Sequence, residues 1–428
     1  MEKMRVLIAD DSIVVRRVVM EELGAQPDIE VVGTASNGLS AVEKLQQLAP
    51  DLVILDIEMP EMDGLTALPL MRKSHPHVPI VMFSSQTIDG AAATMEALAR
   101  GAADFFAKPQ GNGGLEASRQ IIRSELIPAL RALHAQRRRI QERVLASAKV
   151  VVASKGPGDG GAPPNTTAPR TFPAAPAPPV SSSASSSPSA SSPTASSSPV
   201  SGTTASAASS RPIGTGTWVP ASSSTNRTAD AVVPSRVDLV VIAASTGGPN
   251  ALVEIFTGLP ADLPVPLLVV QHMPPMFTQM LAERLTKMSK IPTVEAQAGM
   301  VLEPGRAWVA PGNHHMVVGR ESGRWQLQVN QDPPENACRP AVDPLLRSVT
   351  RSHGRHSLAV ILTGMGQDGL RGCESLRSAG GQVIAQDEAT SVVWGMPGFV
   401  ARAGLADRVL PLPMMAREIV RRVRHERG

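Results

Sequence analysis

Three residues with the chemistry of acyl transfer, Ser245, His272 and Asp368, each follow a short apolar run in the C-terminal part of the chain. Ser245 closes DLVVIAAS, His272 comes one residue after the run Val265 to Val270, and Asp368 lies in TGMGQDG beyond Leu358 to Leu362. A serine hydroxyl is a weak nucleophile until a base takes its proton, and an imidazole does this best when a carboxylate fixes its tautomer. A second set, Asp10, Asp11, Asp56, Ser84 and Lys108, stands at the ends of apolar runs in the N-terminal part. Clustered carboxylates repel unless a hard cation shares them, and Mg²⁺ prefers oxygen ligands. A phosphoryl group on Asp56 would then be held between that metal, Ser84 and Lys108, with catalysis by positioning and charge neutralisation. Taken singly, each residue has a plainer reading: a turn serine, a hydrogen-bonded histidine, a helix-capping aspartate.

The elements that must position these residues follow from periodicity. Met4 to Ala9, Ile29 to Thr34, Leu52 to Leu55, Pro79 to Phe83 and Ala103 to Phe106 read as buried strands. Val14 to Leu23, Leu39 to Leu48, Leu65 to Lys73 and Ala91 to Ala99 carry helical spacing. Alternating strands and helices make a parallel sheet covered on both faces, with every strand end on one edge. The same alternation resumes at Val237, where Asp238 to Pro249 is a strand running into Ser-Thr-Gly-Gly, and Phe277 to Met288 and Gly369 to Ser378 are helices. Glycines around Ser245 and Asp368 suit tight turns and also free backbone N–H groups to face an oxyanion. His314 and His315 make a weaker constellation, because successive side chains of a strand point to opposite faces.

Between these parts, Leu115 to Ala148 holds good helix formers interrupted by Pro128, with a basic cluster at Arg137 to Arg139 suited to an acidic surface or to solvent. From Lys155 to about Asn226 the chain is Pro, Ala, Ser, Thr and Gly, with Trp218 its one large apolar residue. This composition predicts a disordered tether. The expected division is therefore 1–125, 126–235 and 236–428.

Net charge is −7 over residues 1–110, +7 over 111–235 and +3 over 236–428, which argues against a nucleic-acid grip by the first domain. No apolar run approaches the roughly 20 residues of a membrane helix, and no early signal peptide is evident. Cys338 and Cys373 are the only cysteines. A disulfide framework is thus excluded and a reducing cytoplasm fits; a structural zinc site is disfavoured because neither cysteine lies in a metal-spaced pair.

LIADDS (Leu7 to Ser12), LDIEMPEMDG (Leu55 to Gly64), FSS (Phe83 to Ser85) and KP (Lys108, Pro109) resemble the motifs of the response-regulator receiver domain over about residues 3–125. The resemblance implies a flavodoxin-like fold and phosphorylation of Asp56 by a partner histidine kinase. It also implies Mg²⁺ held by Asp11, Asp56 and the backbone carbonyl of Glu58, with Asp10 beside them. Phe105, three residues before the lysine, is where that family often carries an aromatic that reports the switch; it serves equally as a core aromatic.

ASTGGP (Ala244 to Pro249), QHMP (Gln271 to Pro274), APG (Ala310 to Gly312), RPAVDPLL (Arg339 to Leu346), LTGMGQDG (Leu362 to Gly369) and WGMPG (Trp394 to Gly398) resemble the catalytic domain of the chemotaxis protein-glutamate methylesterases. A doubly wound, Rossmann-like domain follows, with Ser245 as nucleophile, His272 as base, Asp368 as its orienter, and Thr246 and the Met365 N–H at the oxyanion. The two resemblances together imply a phosphorylation-activated esterase acting on glutamyl methyl esters of chemoreceptors, with deamidation of receptor glutamines. They imply Mg²⁺ for receiver phosphorylation, no cofactor for ester hydrolysis, and a cytoplasmic protein without membrane insertion. Ala243 departs from the glycine usual in the family. A dinucleotide-binding domain is disfavoured because no G-x-G-x-x-G follows Ile242. A transcription regulator is disfavoured because no helix-turn-helix or basic recognition segment is evident.

Overall fold

The structure, a computed structural model, describes residues 3–108, 114–153, 236–321 and 323–425. The expected tether, Trp218 and Pro109 lie outside the described residues. One compact unit comprises residues 1–154 and 233–428.

Its N-terminal sheet contains β1 (Met4–Ala9), β2 (Ile29–Ala35), β3 (Leu52–Asp56), β4 (Ile80–Ser84) and β5 (Asp104–Ala107) in the order β2-β1-β3-β4-β5. All pairings are parallel, and the strand order reverses at β1 in the flavodoxin-like manner. Helices α1 (Ile13–Gly24), α2 (Gly38–Leu48), α3 (Gly64–Ser74) and α4 (Ile88–Ala99) alternate with the strands. Short polar caps begin them: Ser12 accepts from Val15 N, Asn37 from Ser40 N, Asp63 from Thr66 N and Thr87 from Gly90 N. Capping satisfies orphan amides close to the strand ends and keeps Asp10, Asp11 and Asp56 at one edge.

After α5 (Gly114–Ile121) the backbone makes a wide π turn over Ile122–Leu126 and continues as α6 (Ile127–Ala153). Pro128 has no N–H to give and crowds the carbonyl four residues earlier, which accounts for the wide turn in front of it. Leu130 and Leu133 of α6 pack into the receiver core. Of the basic cluster, Arg137 donates to the Asp51 carbonyl at 2.5 Å, Arg139 pairs with Glu388 at 2.8 Å, and Arg138 stands 3.8 Å from Glu142.

The C-terminal sheet is formed by β6 (Leu239–Ala244), β7 (Leu267–Gln271), β8 (Thr293–Glu295), β9 (Ala307–Val309), β12 (Ser357–Ile361), β13 (Gln382–Gln386) and β14 (Arg408–Leu410). Between β9 and β12, β10 (His315–Glu321) and β11 (Arg324–Asn330) form a separate antiparallel hairpin. Helices α7 (Gly248–Gly258), α8 (Phe277–Met288), α9 (Val342–Ser352), α10 (Leu370–Ser378), α11 (Met396–Arg402) and α12 (Leu412–Arg424) complete the domain.

The sheet order is β14-β13-β12-β6-β7-β9-β8, all parallel. β6 therefore lies between β7 and β12, at the point where the strand order reverses and open α/β sheets take their ligands. Its side chains alternate: Val240, Ile242 and Ala244 belong to one apolar core, Leu239, Val241 and Ala243 to the other. The methyl of Ala243 thus packs into the core on the face opposite Ala244. No helix among the described residues is long and apolar enough to cross a membrane.

Candidate active site

Ser245 follows the last residue of β6, His272 the last of β7, and Asp368 stands just before α10, beyond β12. Ser245 is held through its backbone: its N–H donates to Thr363 O at 3.0 Å, and its carbonyl accepts from Gln271 Nε2 at 2.9 Å and Gly248 N at 2.7 Å. Gly364 makes the approach possible, since a Cβ there would lie 2.8 Å from Ser245 Cβ and 2.4 Å from the Met396 sulfur. Gly247, at φ +74°, ends the turn in the left-handed region. Thr246 and Met365 are both half-buried beside Ser245 and Gly364, and the Thr246 carbonyl accepts from Thr363 Oγ1 at 2.9 Å.

His272 and Asp368 meet directly, Nε2 to Oδ2 at 2.8 Å, with the carboxylate buried. Asp368 collects four further donors: Val342 N at 2.6 Å on Oδ2, and Asn336 Nδ2 at 2.9 Å, Gly369 N at 2.9 Å and Asp343 N at 3.2 Å on Oδ1. Burial works against its charge, but the bond to His272 and the backbone N–H groups outweigh it and hold its pKa below the ordinary aspartate value. Burial likewise disfavours the imidazolium, yet Asp368 and then Cys338 raise the His272 pKa well above that of an ordinary histidine. Such a pair orients the ring and stabilises the cation formed when it accepts a proton. With Nε2 on Asp368, the other ring nitrogen, Nδ1, faces Cys338 Sγ at 3.5 Å.

Asn336, Cys338 and Asp343 were not singled out from the sequence as site residues. Asp343 is buried, accepts from Gly372 N at 2.7 Å and from Asn336 at 3.1 Å, and lies in RPAVDPLL, where a polar residue two before an apolar pair was the available signal. Of the adjacent histidines, His315 is buried and braces the segment before α9, accepting from Ala341 N at 3.2 Å and meeting Pro333 O at 3.1 Å. The His314 ring meets the carbonyl of Gly312 at 3.1 Å.

In the receiver, oxygens of Asp10, Asp11 and Asp56 lie within 4.8 Å of one another. Lys108 Nζ is 2.6 Å from Asp56 Oδ2 and 3.1 Å from Asp10 Oδ2, the latter outside hydrogen-bond geometry, which leaves a buried Asp10 oxygen unsatisfied. Burial raises the Asp56 pKa to about 7 even with Lys108 beside it. Three hard oxygen donors with one orphaned oxygen fit a divalent cation such as Mg²⁺. The Ser84 hydroxyl donates to the Gly90 carbonyl at 2.9 Å, away from Asp56.

The amino end of β5 and the segment before it touch the catalytic domain. Phe105 stacks on Phe277 of α8 with centroids 4.9 Å apart and planes 9° from parallel, so it is a core aromatic of the contact between the two domains. Asp104, fully buried, accepts from Gly247 N at 3.0 Å, and Asn250 donates to Ala102 O at 3.1 Å. Burial, opposed only by the N–H groups of Phe105 and Gly247, pushes the Asp104 pKa up to about 7. A cavity of about 950 Å³ opens beside this contact, lined by Arg72, Leu133, Ile140, Asn250 and Val392 among others, but Ser245, His272 and Asp368 do not line it.

The comparisons with known proteins cover the whole chain. A family model described as CheB methylesterase matches residues 240–419, and one described as response regulator receiver domain matches residues 6–119. The protein-glutamate methylesterase/protein-glutamine glutaminase of Trichodesmium erythraeum is 40% identical over 423 residues, 99% of this chain and 100% of that protein. That of a Nocardioides species is 41% identical over 427 residues, 100% of this chain and 97% of that protein. The crystal structure of the Thermotoga maritima CheB methylesterase catalytic domain shares 40% identity, covers 44% of this chain and 99% of that one, and superposes with a TM-score of 0.43. With a receiver sheet, a serine, histidine and aspartate on one edge of a second sheet, and relatives matched end to end, the chain belongs to the chemotaxis protein-glutamate methylesterase/protein-glutamine glutaminase family.

Proposed function

We propose that the chain is a phosphorylation-activated serine esterase that hydrolyses γ-glutamyl methyl esters on chemoreceptors and deamidates receptor glutamines. The assignment takes residues 1–125 as receiver, 126–235 as extension and linker and 236–428 as catalytic domain. The observation that carries it is the His272–Asp368 pair at the end of β7, on the same sheet edge as Ser245 at the end of β6.

In this reading His272 Nδ1 takes the Ser245 proton as Oγ attacks the ester carbonyl. The oxyanion is met by N–H groups of the two glycine-bracketed turns, those of Thr246 and Met365. The proton then passes to the departing methoxide, methanol leaves, and water attacks the acyl-serine with the same base. A glutamine side chain follows the same course and releases ammonia.

Regulation rests on the receiver. Asp10, Asp11 and Asp56, with the Glu58 carbonyl, would hold Mg²⁺, which when bound neutralises phosphoryl charge. Asp56 accepts the phosphoryl group from a chemosensory histidine kinase, while Ser84 and Lys108 hold its oxygens. Asp104 grips the amide of Gly247, two residues after the nucleophile, and Phe105 covers α8. Phosphorylation releases these contacts by drawing Ser84 toward Asp56.

The test is methanol release from methylated receptor membranes. Ser245→Ala is expected to lose roughly 10⁴-fold or more of the rate, and acetyl phosphate with Mg²⁺ to accelerate wild type but not Asp56→Ala. Full activity in Ser245→Ala would remove the serine mechanism. An unchanged wild-type rate with Asp56 phosphorylated would remove the gating.

A further inference from the structure

The segment between β11 and α9 clasps the His272–Asp368 pair with two side chains. Asn336 donates to Asp368 Oδ1 at 2.9 Å, and Cys338 places its sulfur 3.5 Å from His272 Nδ1. Asn336 and Ala337 adopt φ of +52° and +61°, and Glu335 and Cys338 exchange backbone hydrogen bonds of 3.1 and 2.9 Å across them. The segment is pinned by Arg339 on Asn313 at 2.7 Å, by Arg347 on Glu335, and by His315. A strained turn held from three sides keeps the thiol at the imidazole.

The two cysteines of the chain differ in their surroundings. Cys373 is fully buried, and burial pushes its thiol pKa up. Cys338 is half-buried, next to exposed Asn336 and Ala337, and forms a thiol–imidazole–carboxylate series with His272 and Asp368. A thiol attacks electrophiles as its thiolate, and a neighbouring base that can take the proton makes one cysteine react ahead of others. Asp368 favours the protonated ring, and the Cys338 sulfur, 3.5 Å from Nδ1, is placed to exchange a proton with it.

We propose that Cys338 is a modification site for small hydroperoxides, and that its oxidation silences the esterase by occupying the nitrogen that must serve Ser245. This rests on the assignment of His272 as the base. The Cys338 sulfur attacks the terminal oxygen of the peroxide and the O–O bond breaks. Sulfur is oxidised to the sulfenic acid, and the departing oxygen is reduced and takes the thiol proton by way of His272, leaving as water or alcohol. Two equivalents of an added thiol restore Cys338 and leave as their disulfide with one water.

The experiment uses the full chain treated with excess hydrogen peroxide. Methanol release should fall roughly tenfold or more, the order a displaced general base implies, and return with dithiothreitol. One added oxygen should map to the Cys338 peptide and not to the Cys373 peptide. Cys338→Ser, measured against its own untreated rate, should resist. The proposal is overturned if Cys338 is shown oxidised while the wild-type rate holds, or if Cys338→Ser loses activity as steeply as wild type.

A second measurement does not depend on esterase activity. Iodoacetamide should label Cys338 several-fold more slowly in His272→Gln than in wild type, and equal rates would break the thiol–imidazole link. Ser245→Ala separates the two readings: full activity there removes the serine mechanism, whereas the labelling rates judge Cys338 alone.

Discussion

Both sheets present carboxylates at the carboxyl ends of parallel strands, yet the two edges treat buried charge in opposite ways. In the catalytic domain Asp368 has five hydrogen-bond donors and is held ionised, with its pKa below the usual value. In the receiver, Asp56 at the carboxyl end of β3 has Lys108 and one amide, and Asp104 at the amino end of β5 has two amides; burial raises both to about 7. Burial penalises the charged form in every case, and the number and charge of the donors decide which term wins. In the proposed mechanism the carboxylate that orients the base is thereby kept charged in the resting protein. The one proposed to receive a cation and a phosphoryl group is left short of partners, as is the orphaned Asp10 oxygen.

The largest test of this contrast is Asp368→Asn. Loss of the charge that orients His272 should cost roughly 10³–10⁴-fold in methanol release, the scale of the equivalent loss in serine proteases. Because Asp368 raises the His272 pKa, the neutral base appears only on the alkaline side of an ordinary histidine. The rising limb of rate against pH should therefore move to lower pH in the variant, and an unmoved limb would contradict the pairing.

A smaller effect should come from Asp104. Its pKa lies near the ordinary 3.8 when free and near 7 when docked on Gly247. Between those values the docked form takes up a proton that the free form does not, so docking is favoured at low pH and weakens as pH rises through about 7. Unphosphorylated protein should gain roughly tenfold in activity between pH 6 and pH 8 from undocking alone. That gain should be absent in Asp104→Asn, whose amide cannot titrate, and the comparison of the two pH profiles checks it.

The smallest is Asn336→Ala, which removes one of the five donors to Asp368. A lost hydrogen bond to a charged group is worth about 1.5–3 kcal/mol at most, and the four remaining donors should hold the loss in kcat to roughly tenfold. A loss as large as that of Asp368→Asn would mean that the count of donors is not what keeps the carboxylate charged.

Much of this architecture was legible in the chain. Strand periods located the five receiver strands and three strands of the catalytic sheet, β6, β7 and β12, to within a residue or two, because alternation, capping and glycine turns are local properties; β8, β9, β13, β14 and the β10–β11 hairpin were not anticipated. The helix Phe277–Met288 was anticipated at both ends. Pro128 announced an interruption, and it took the form of a π turn placed just before the proline. Ala243 drew notice as a neighbour of the serine, but a strand's alternation turns its methyl into the opposite core.

What the sequence determined by itself was which residue types stand at strand ends, since the turn that follows a strand is written in adjacent residues. Only the tertiary structure decided their partners. The donors to Asp368 come from residues 336, 342 and 343, the sulfur at His272 from residue 338, and the amide clasped by Asp104 from residue 247. Those contacts join segments tens to more than a hundred residues apart, and their strength depends on burial, which no short stretch of sequence encodes. The same holds for Phe105, whose stacking partner Phe277 stands far along the chain.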